Sequence, residues 1–175
     1  MTPAEHPAPR TLVLLRHGKS AYPPGVSDHA RPLAPRGIRE AALAGRWITA
    51  HVPPVDHIIC STATRTRQTL QSTGLITPAV LVDLADEIYE AYAEELLELV
   101  SAANPADRTV LLVGHAPGLP ALAAQLAGPG SDDAALAGVQ AKFPTSAIAV
   151  LAVDGDWAGV AAGTSRLTAF VVPRA

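Results

Sequence analysis

The chain has 175 residues, a formal net charge of −3 and one cysteine, Cys60. That length suits one domain with a sizeable core and leaves no room for a second independent one, and the weak charge, with no block of Lys and Arg, argues against nucleic acid or an anionic membrane as partner. A lone cysteine excludes an internal disulfide, so a reducing, cytoplasmic compartment is expected, and with 49% hydrophobic but only 4% aromatic residues the core must be built from Ala, Val, Leu and Ile.

Residues 1–10 carry Glu5, His6 and three prolines instead of a positive start followed by an apolar run. They read as a flexible N-terminal tail, with 11–175 as the single domain, and no stretch approaches a membrane span. Thr11 to Leu15 is the first strand and runs straight into Arg16-His17-Gly18. The segment to Ala34, with Pro23, Pro24, Gly25, Asp28 and Pro32, is loop. Pro35 suits the first turn of a helix to about His51, with Ile38, Ala41, Ala42, Gly45, Trp47 and Ile48 as its buried face and Pro53-Pro54 as its stop.

Asp56 to Cys60 is a second strand, followed by a helix over Ser61 to Leu75 that Ser61 or Thr62 caps and Gly74 ends. Val80 to Val82 gives a third strand. After the acidic stretch Asp83 to Glu90, Leu96, Leu97 and Val100 mark a helix over Tyr92 to Ala103. Thr109 to Val113 is a strand ending in Gly114-His115, and Pro117 or Gly118 opens a helix to about Ala127, with Gly128 to Asp133 as linker. Ser146 to Val153, Trp157 to Ala162 and Leu167 to Val172 read as antiparallel strands, Asp154-Gly155-Asp156 being a plausible hairpin turn. Strands alternating with helices imply right-handed crossovers. The expected fold is an α/β three-layer α/β/α sandwich, its central sheet mostly parallel with antiparallel C-terminal strands.

In such a sheet the ligand crevice lies outside the carboxyl ends of the strands. Three strand ends deliver polar groups there: Arg16-His17-Gly18, the segment Ser61 to Thr69, and Gly114-His115. Arg16, His17, Arg65 and His115 would then surround one cavity, two permanent cations beside two imidazoles, and Gly18 would let the backbone approach a ligand closely. Such a pocket suits a phosphoryl group, because guanidinium forks stabilise its equatorial oxygens without deprotonating. Rival motifs fail on spacing. Between Cys60 and Arg65 there is one residue fewer than a cysteine-phosphatase loop needs, and Ala116 stands where a nucleophile elbow needs serine. Cys60 is therefore read as structural. His6, His29, His51 and His57 lack the paired spacing of a zinc site, so neither a metal nor another cofactor is expected.

Arg16-His17-Gly18 after a strand, Arg65-Thr66-Arg67-Gln68-Thr69 on the next strand–helix unit and Gly114-His115 after a later strand resemble the histidine phosphatase, or phosphoglycerate-mutase-like, superfamily. Arg16 to Ser20, Asp28 with Arg31-Pro32-Leu33, Ile88-Tyr89-Glu90-Ala91, Val113-Gly114-His115 with Pro117-Gly118, and Phe143-Pro144-Thr145 resemble its SixA branch of short phosphohistidine phosphatases. The resemblance covers Thr11 to Val153. It implies His17 as the phosphorylated nucleophile, with Arg16, Arg65 and His115 holding the phosphoryl oxygens. Ala116 follows His115 where the acid-phosphatase branch carries aspartate. The mutase-like branch takes its acid from a Glu after the third strand, which points to Glu87, with Asp86 and Glu90 as competitors or no acid at all.

The expected activity is metal-independent phosphatase chemistry on phosphohistidine in a protein, of the kind used in signal transduction. A small-molecule phosphomonoesterase and a non-catalytic phosphate-binding module are the alternatives. Gly18, Lys19 and Arg31 complete the expected substrate contacts. The missing large helical insert implies an open mouth, and a monomer or weak dimer is expected.

Overall fold

The computed structural model describes residues 7–174. Six strands form one sheet: β1 (Arg10–Arg16), β2 (His57–Ser61), β3 (Leu81–Ala85), β4 (Thr109–Gly114), β5 (Ile148–Val153) and β6 (Ser165–Val171). Their spatial order is β3-β2-β4-β1-β5-β6. The first four are parallel, while β5 pairs antiparallel with both β1 and β6. Five helices cover it: α1 (Pro35–His51), α2 (Thr64–Thr73), α3 (Ala93–Ser101), α4 (Gly118–Leu126) and α5 (Asp133–Ala141). None of these is long and apolar enough to cross a membrane.

The three layers follow from the period-two alternation of buried strands. Val13 and Leu15 of β1 join Ile58, Cys60, Leu111 and Val113 in a core under α1 and α2, while Leu12 and Leu14 point the other way, into the core under α3, α4 and α5. Apolar residues on both faces make these strands continuous hydrophobic runs. Every one of them then has to end in polar chain at the sheet's rim.

Helix α1 has the expected bounds, but its buried stripe is Gly37, Glu40, Ala41, Ala44, Gly45 and Ile48, and Ile38 is 50% exposed. The reason is distance. A Cβ on Gly37 would lie 2.2 Å from the carbonyl oxygen of Lys19, and one on Gly45 2.0 Å from that of Thr73, so the small-residue face is the one that fits against the first loop and α2. Glu40 is buried among them, paired with Arg36 at 2.9 Å and Arg174 at 3.3 Å.

Helix α2 starts at Thr64, later than expected. Neither Ser61 nor Thr62 caps it; Ser61 is the last residue of β2, and Ala63 occupies the cap without a side-chain bond. Gly74 ends it in the left-handed conformation, φ 71°. Two further expectations fail. The linker placed at 128–133 runs into α5, whose Asp132 accepts the N–H of Ala135 at 2.8 Å. The strand expected over Trp157 to Ala162 is a 3₁₀ turn, Trp157–Gly159, so Asp154-Gly155-Asp156 does not close a tight hairpin. Trp157 is apolar there because it fills the core, 1% exposed, with its indole N–H on the carbonyl of Asp107. At the start of the chain, Arg10 belongs to β1 and not to the tail; its guanidinium reaches Pro105, Gly155 and Asp156. Of the tail expected over residues 1–10, residues 1–6 lie outside the described residues.

Candidate active site

Each parallel strand releases its chain at the same rim. Arg16 ends β1, Ser61 ends β2 and Gly114 ends β4, with Arg16 opposite Gly114 in register. His17 and His115 follow directly, their ring centroids 5.2 Å apart. Arg65, on the first turn of α2, joins them. All four line one cavity of about 660 Å³, together with Lys19, Arg31, Asp28 and Glu90.

The backbone fixes His17 on both sides: its N–H donates to Gly114 at 3.0 Å and its carbonyl accepts from Ser146 at 3.0 Å. Its Nδ1 lies 2.7 Å from the carbonyl of Gly18. A carbonyl can only accept, so Nδ1 carries the proton and Nε2 keeps its lone pair. Burial, opposed by that hydrogen bond and aided by Arg65 and Arg16, pulls the His17 pKa down to about 4. His115 is pulled down to about 3 by burial first and by His17 and Arg65 after it. Both rings are neutral at pH 7, held so by a cationic, desolvated surrounding. The Nε2 of His115 is 2.8 Å from the hydroxyl of Ser61, which also accepts the N–H of Ala63.

The guanidinium groups are held by acceptors, a carbonyl for Arg16 and both a carbonyl and a carboxylate for Arg65. Arg16 donates to the carbonyl of Phe143 at 2.7 Å, and burial lowers its pKa from the ordinary arginine value. Arg65 donates to the carbonyl of Asp28 at 2.7 Å and to its carboxylate at 3.2 Å. Asp28 is the hub of this wall: its carboxylate also accepts the hydroxyl of Tyr89 at 2.6 Å and pairs with Arg31 at 2.7 Å. The tyrosine hydrogen bond, with the two guanidinium groups, holds its pKa down to about 2. Arg31 is further fixed by the carbonyl of Ala21 and the hydroxyl of Ser20, and it stacks 3.7 Å over the Tyr22 ring.

Three buried polar atoms of residues in or beside this region, Arg16 Nε, His115 Nδ1 and Ser146 Oγ, have no partner among the described residues. Cations, donors and neutral imidazoles on one wall suit a phosphoryl group. Among the described residues no group of three or more His, Cys, Asp or Glu is placed to hold a metal ion.

The site residues named from sequence divide. Arg16, His17, Arg65, His115, Lys19 and Arg31 line the cavity, and Arg67 on the same turn as Arg65 is exposed elsewhere. Gly18 serves packing, not ligand approach: its N–H bonds Thr69 at 2.9 Å, and a Cβ would stand 2.7 Å from the carbonyl oxygen of Gly37. Glu87 requires correction. The 3₁₀ turn Asp86–Ile88 drives Ile88 into the core, 2% exposed, which leaves Glu87 outside the cavity in a surface groove with Glu95 and Glu98. Asp86 is engaged by the hydroxyl of Thr62 at 2.5 Å. Of the three acidic candidates, Glu90 alone lines the cavity. Sequence reasoning missed the roles of Ser61, Tyr89 and the Phe143 carbonyl; all three lie within the motif segments, but a carbonyl carries no residue signal.

Comparison with known proteins gives the family. The family model of the histidine phosphatase superfamily (branch 1) matches residues 12–91, which include Arg16, His17 and Arg65. An uncharacterized protein of Mycobacterium tuberculosis is 51% identical over 161 residues, 91% of this chain and 100% of that one. The phosphohistidine phosphatase SixA of Escherichia coli is 29% identical over 152 residues, 82% of this chain and 85% of its own. A solved structure from Nakamurella multipartitia, assigned to SixA, superposes with a TM-score of 0.84 at 40% identity, covering 95% of this chain and 97% of that chain. With fold, strand-end residues and relatives in agreement, the chain belongs to the histidine phosphatase superfamily, within its SixA-like branch, and is a phosphatase.

Proposed function

We propose that the protein removes the phosphoryl group from phosphohistidine in a protein, without a metal, through a phosphorylated His17. The observation that carries this reading is the state of the cavity's carboxylates. Asp28 is held as an anion by Tyr89, Arg31 and Arg65, and Glu87 is outside. Glu90, the other carboxylate of the lining, is exposed at the mouth. An alkoxide leaving group needs a protonated acid, and none of the three is a buried carboxyl poised to supply one. A phosphoramidate does not, because its P–N bond breaks readily once the departing imidazole carries a proton. The neutral Nε2 of His17 is the nucleophile, Arg16 and Arg65 stabilise the transferring oxygens, and His115, steadied by Ser61, donates to them. Those guanidinium groups provide the positive charge that a metal ion supplies elsewhere.

The test compares specificity constants for a phosphohistidine-bearing protein domain and for sugar and glycerate phosphates, with and without a chelator. The domain should be preferred by on the order of 10²-fold, chelator should leave the rate intact, and acid-labile phosphate should be trapped on His17. Faster turnover of the small esters would make the protein a metabolite phosphatase.

A further inference from the structure

The cavity's charges are layered. His17, Arg65 and His115 are buried at its floor, whereas the carboxylates that line it, Asp28 and Glu90, belong to its exposed mouth. Asp28 spends its charge on Arg31 and Arg65. Glu90 has no hydrogen-bond or ion-pair partner among the described residues, so its charge is free to act on what passes through the mouth.

The backbone of Glu90 is as unusual as its freedom. It stands at φ 60°, the left-handed region that glycine and asparagine favour and glutamate rarely enters. The turn around it is over-determined. The N–H of Tyr89 bonds Asp86, that of Ala91 bonds Ile88, and Ile88 and Ala91 are both packed in the core. The carbonyl of Ala91 also lies 2.5 Å from where a Cβ of Gly118 would be, so α4 closes the turn from beneath. A strained residue held by its neighbours, with a charged side chain on the cavity wall, marks a functional position.

Resting on the phosphohistidine reading above, we infer that Glu90 is a specificity-determining residue that selects the charge of the leaving group, favouring a protonated imidazole over an anionic one. As Nε2 of His17 bonds to phosphorus, the substrate's P–N bond breaks and its electron pair goes to the departing ring nitrogen. When the other ring nitrogen carries a proton, the ring leaves as neutral imidazole and the enzyme supplies no proton. The Glu90 carboxylate accepts the hydrogen bond of that N–H and so raises the fraction of substrate that carries it. Water then attacks phospho-His17, the P–N electron pair returns to Nε2, and both protons of the water stay on inorganic phosphate. An acyl phosphate instead releases a carboxylate, which Glu90 repels.

The experiment measures kcat/KM of the full chain for a phosphohistidine peptide and for acetyl phosphate in the wild type, Glu90→Gln, Glu90→Lys and Glu90→Gly. Glu90→Gln should lose about tenfold on the peptide and gain about twofold on acetyl phosphate, and Glu90→Lys should widen the change in their ratio to about 100-fold. Glu90→Gly relieves the backbone, so its melting temperature should rise while the ratio shifts as in Glu90→Gln. A parallel loss on both substrates, or a ratio that does not move while the wild type still hydrolyses the peptide, overturns the role of Glu90 alone. A wild type that hydrolyses acetyl phosphate but not the peptide overturns both readings together.

Discussion

Strand β2 joins two buried histidine clusters that have opposite surroundings. At its carboxyl end Ser61 holds His115, which faces His17 among Arg16 and Arg65. At its amino end His57, 6% exposed, lies 2.8 Å from the carboxylate of Asp83 and 3.2 Å from that of Asp107. One histidine pair is surrounded by cations; the other histidine is wedged between two carboxylates, one of them hydrogen-bonded to its Nε2. Burial of a histidine therefore says little about its use. The sign of the neighbouring charge separates a site built to receive an anion from a clasp that ties β2 to β3 and to the turn before β4.

The sharpest way to break this contrast is to truncate a histidine at each end. His17→Ala should lose at least about 10³-fold in turnover with little change in melting temperature. His57→Ala should keep kcat/KM within about threefold while losing about 1–3 kcal/mol of stability, because Asp83 and Asp107 lose the partner between them. A folded His57→Ala without activity would show that the two ends are coupled. Next in size come the arginines. Arg16→Ala and Arg65→Ala should each cost on the order of 10² in kcat/KM, and exposed Arg67→Ala no more than about twofold. Equal losses at 65 and 67 would remove the cavity from the argument.

Acid titration sharpens the comparison at smaller cost. His17 and His115 have folded-state pKa values of about 4 and about 3, below the unfolded value of about 6.5. The unfolded chain binds these protons first, so their contribution to stability is intact above about pH 6.5 and is lost as the pH falls towards 4, by up to about 1.4 kcal/mol per pH unit for each ring. Denaturant melts across that window should show the slope, and His115→Gln should reduce it. The acid limb of kcat/KM should lie near pH 4, not near 6.5. Glu87→Gln, outside the cavity, should change the rate by no more than about twofold at any pH, and a larger effect would reopen its role as acid.

Most of the architecture was legible because its signals are local. Buried strands read as apolar runs, and α1 begins and stops where Pro35 and Pro53-Pro54 say it must, since a proline acts on its own turn. The layer order and the antiparallel end of the sheet followed from element order and connection length. What failed was also local in appearance. The apolar stretch at Trp157 satisfies a strand pattern equally well, and only the space under α3 turns it into a plug. Helix α5 is short, and its start signal, Asp132, was absorbed into a polar linker.

By itself, then, the sequence determined which residues meet in one cavity: Arg16-His17 and His115 must stand where a buried strand runs out, and Arg65 on the helix that follows one. Only the tertiary structure decided how those groups are held and which acid reaches them. Asp28 grips Arg65 from 37 positions away, Ser61 meets His115 from 54, and Phe143 offers Arg16 a carbonyl that any residue could have provided. Glu87 and Glu90 are alike in composition and close in sequence, yet the burial of Ile88 turns one outward and brings the other to the mouth. Such choices depend on register between distant segments and on backbone groups common to every residue, and neither has a sequence signature.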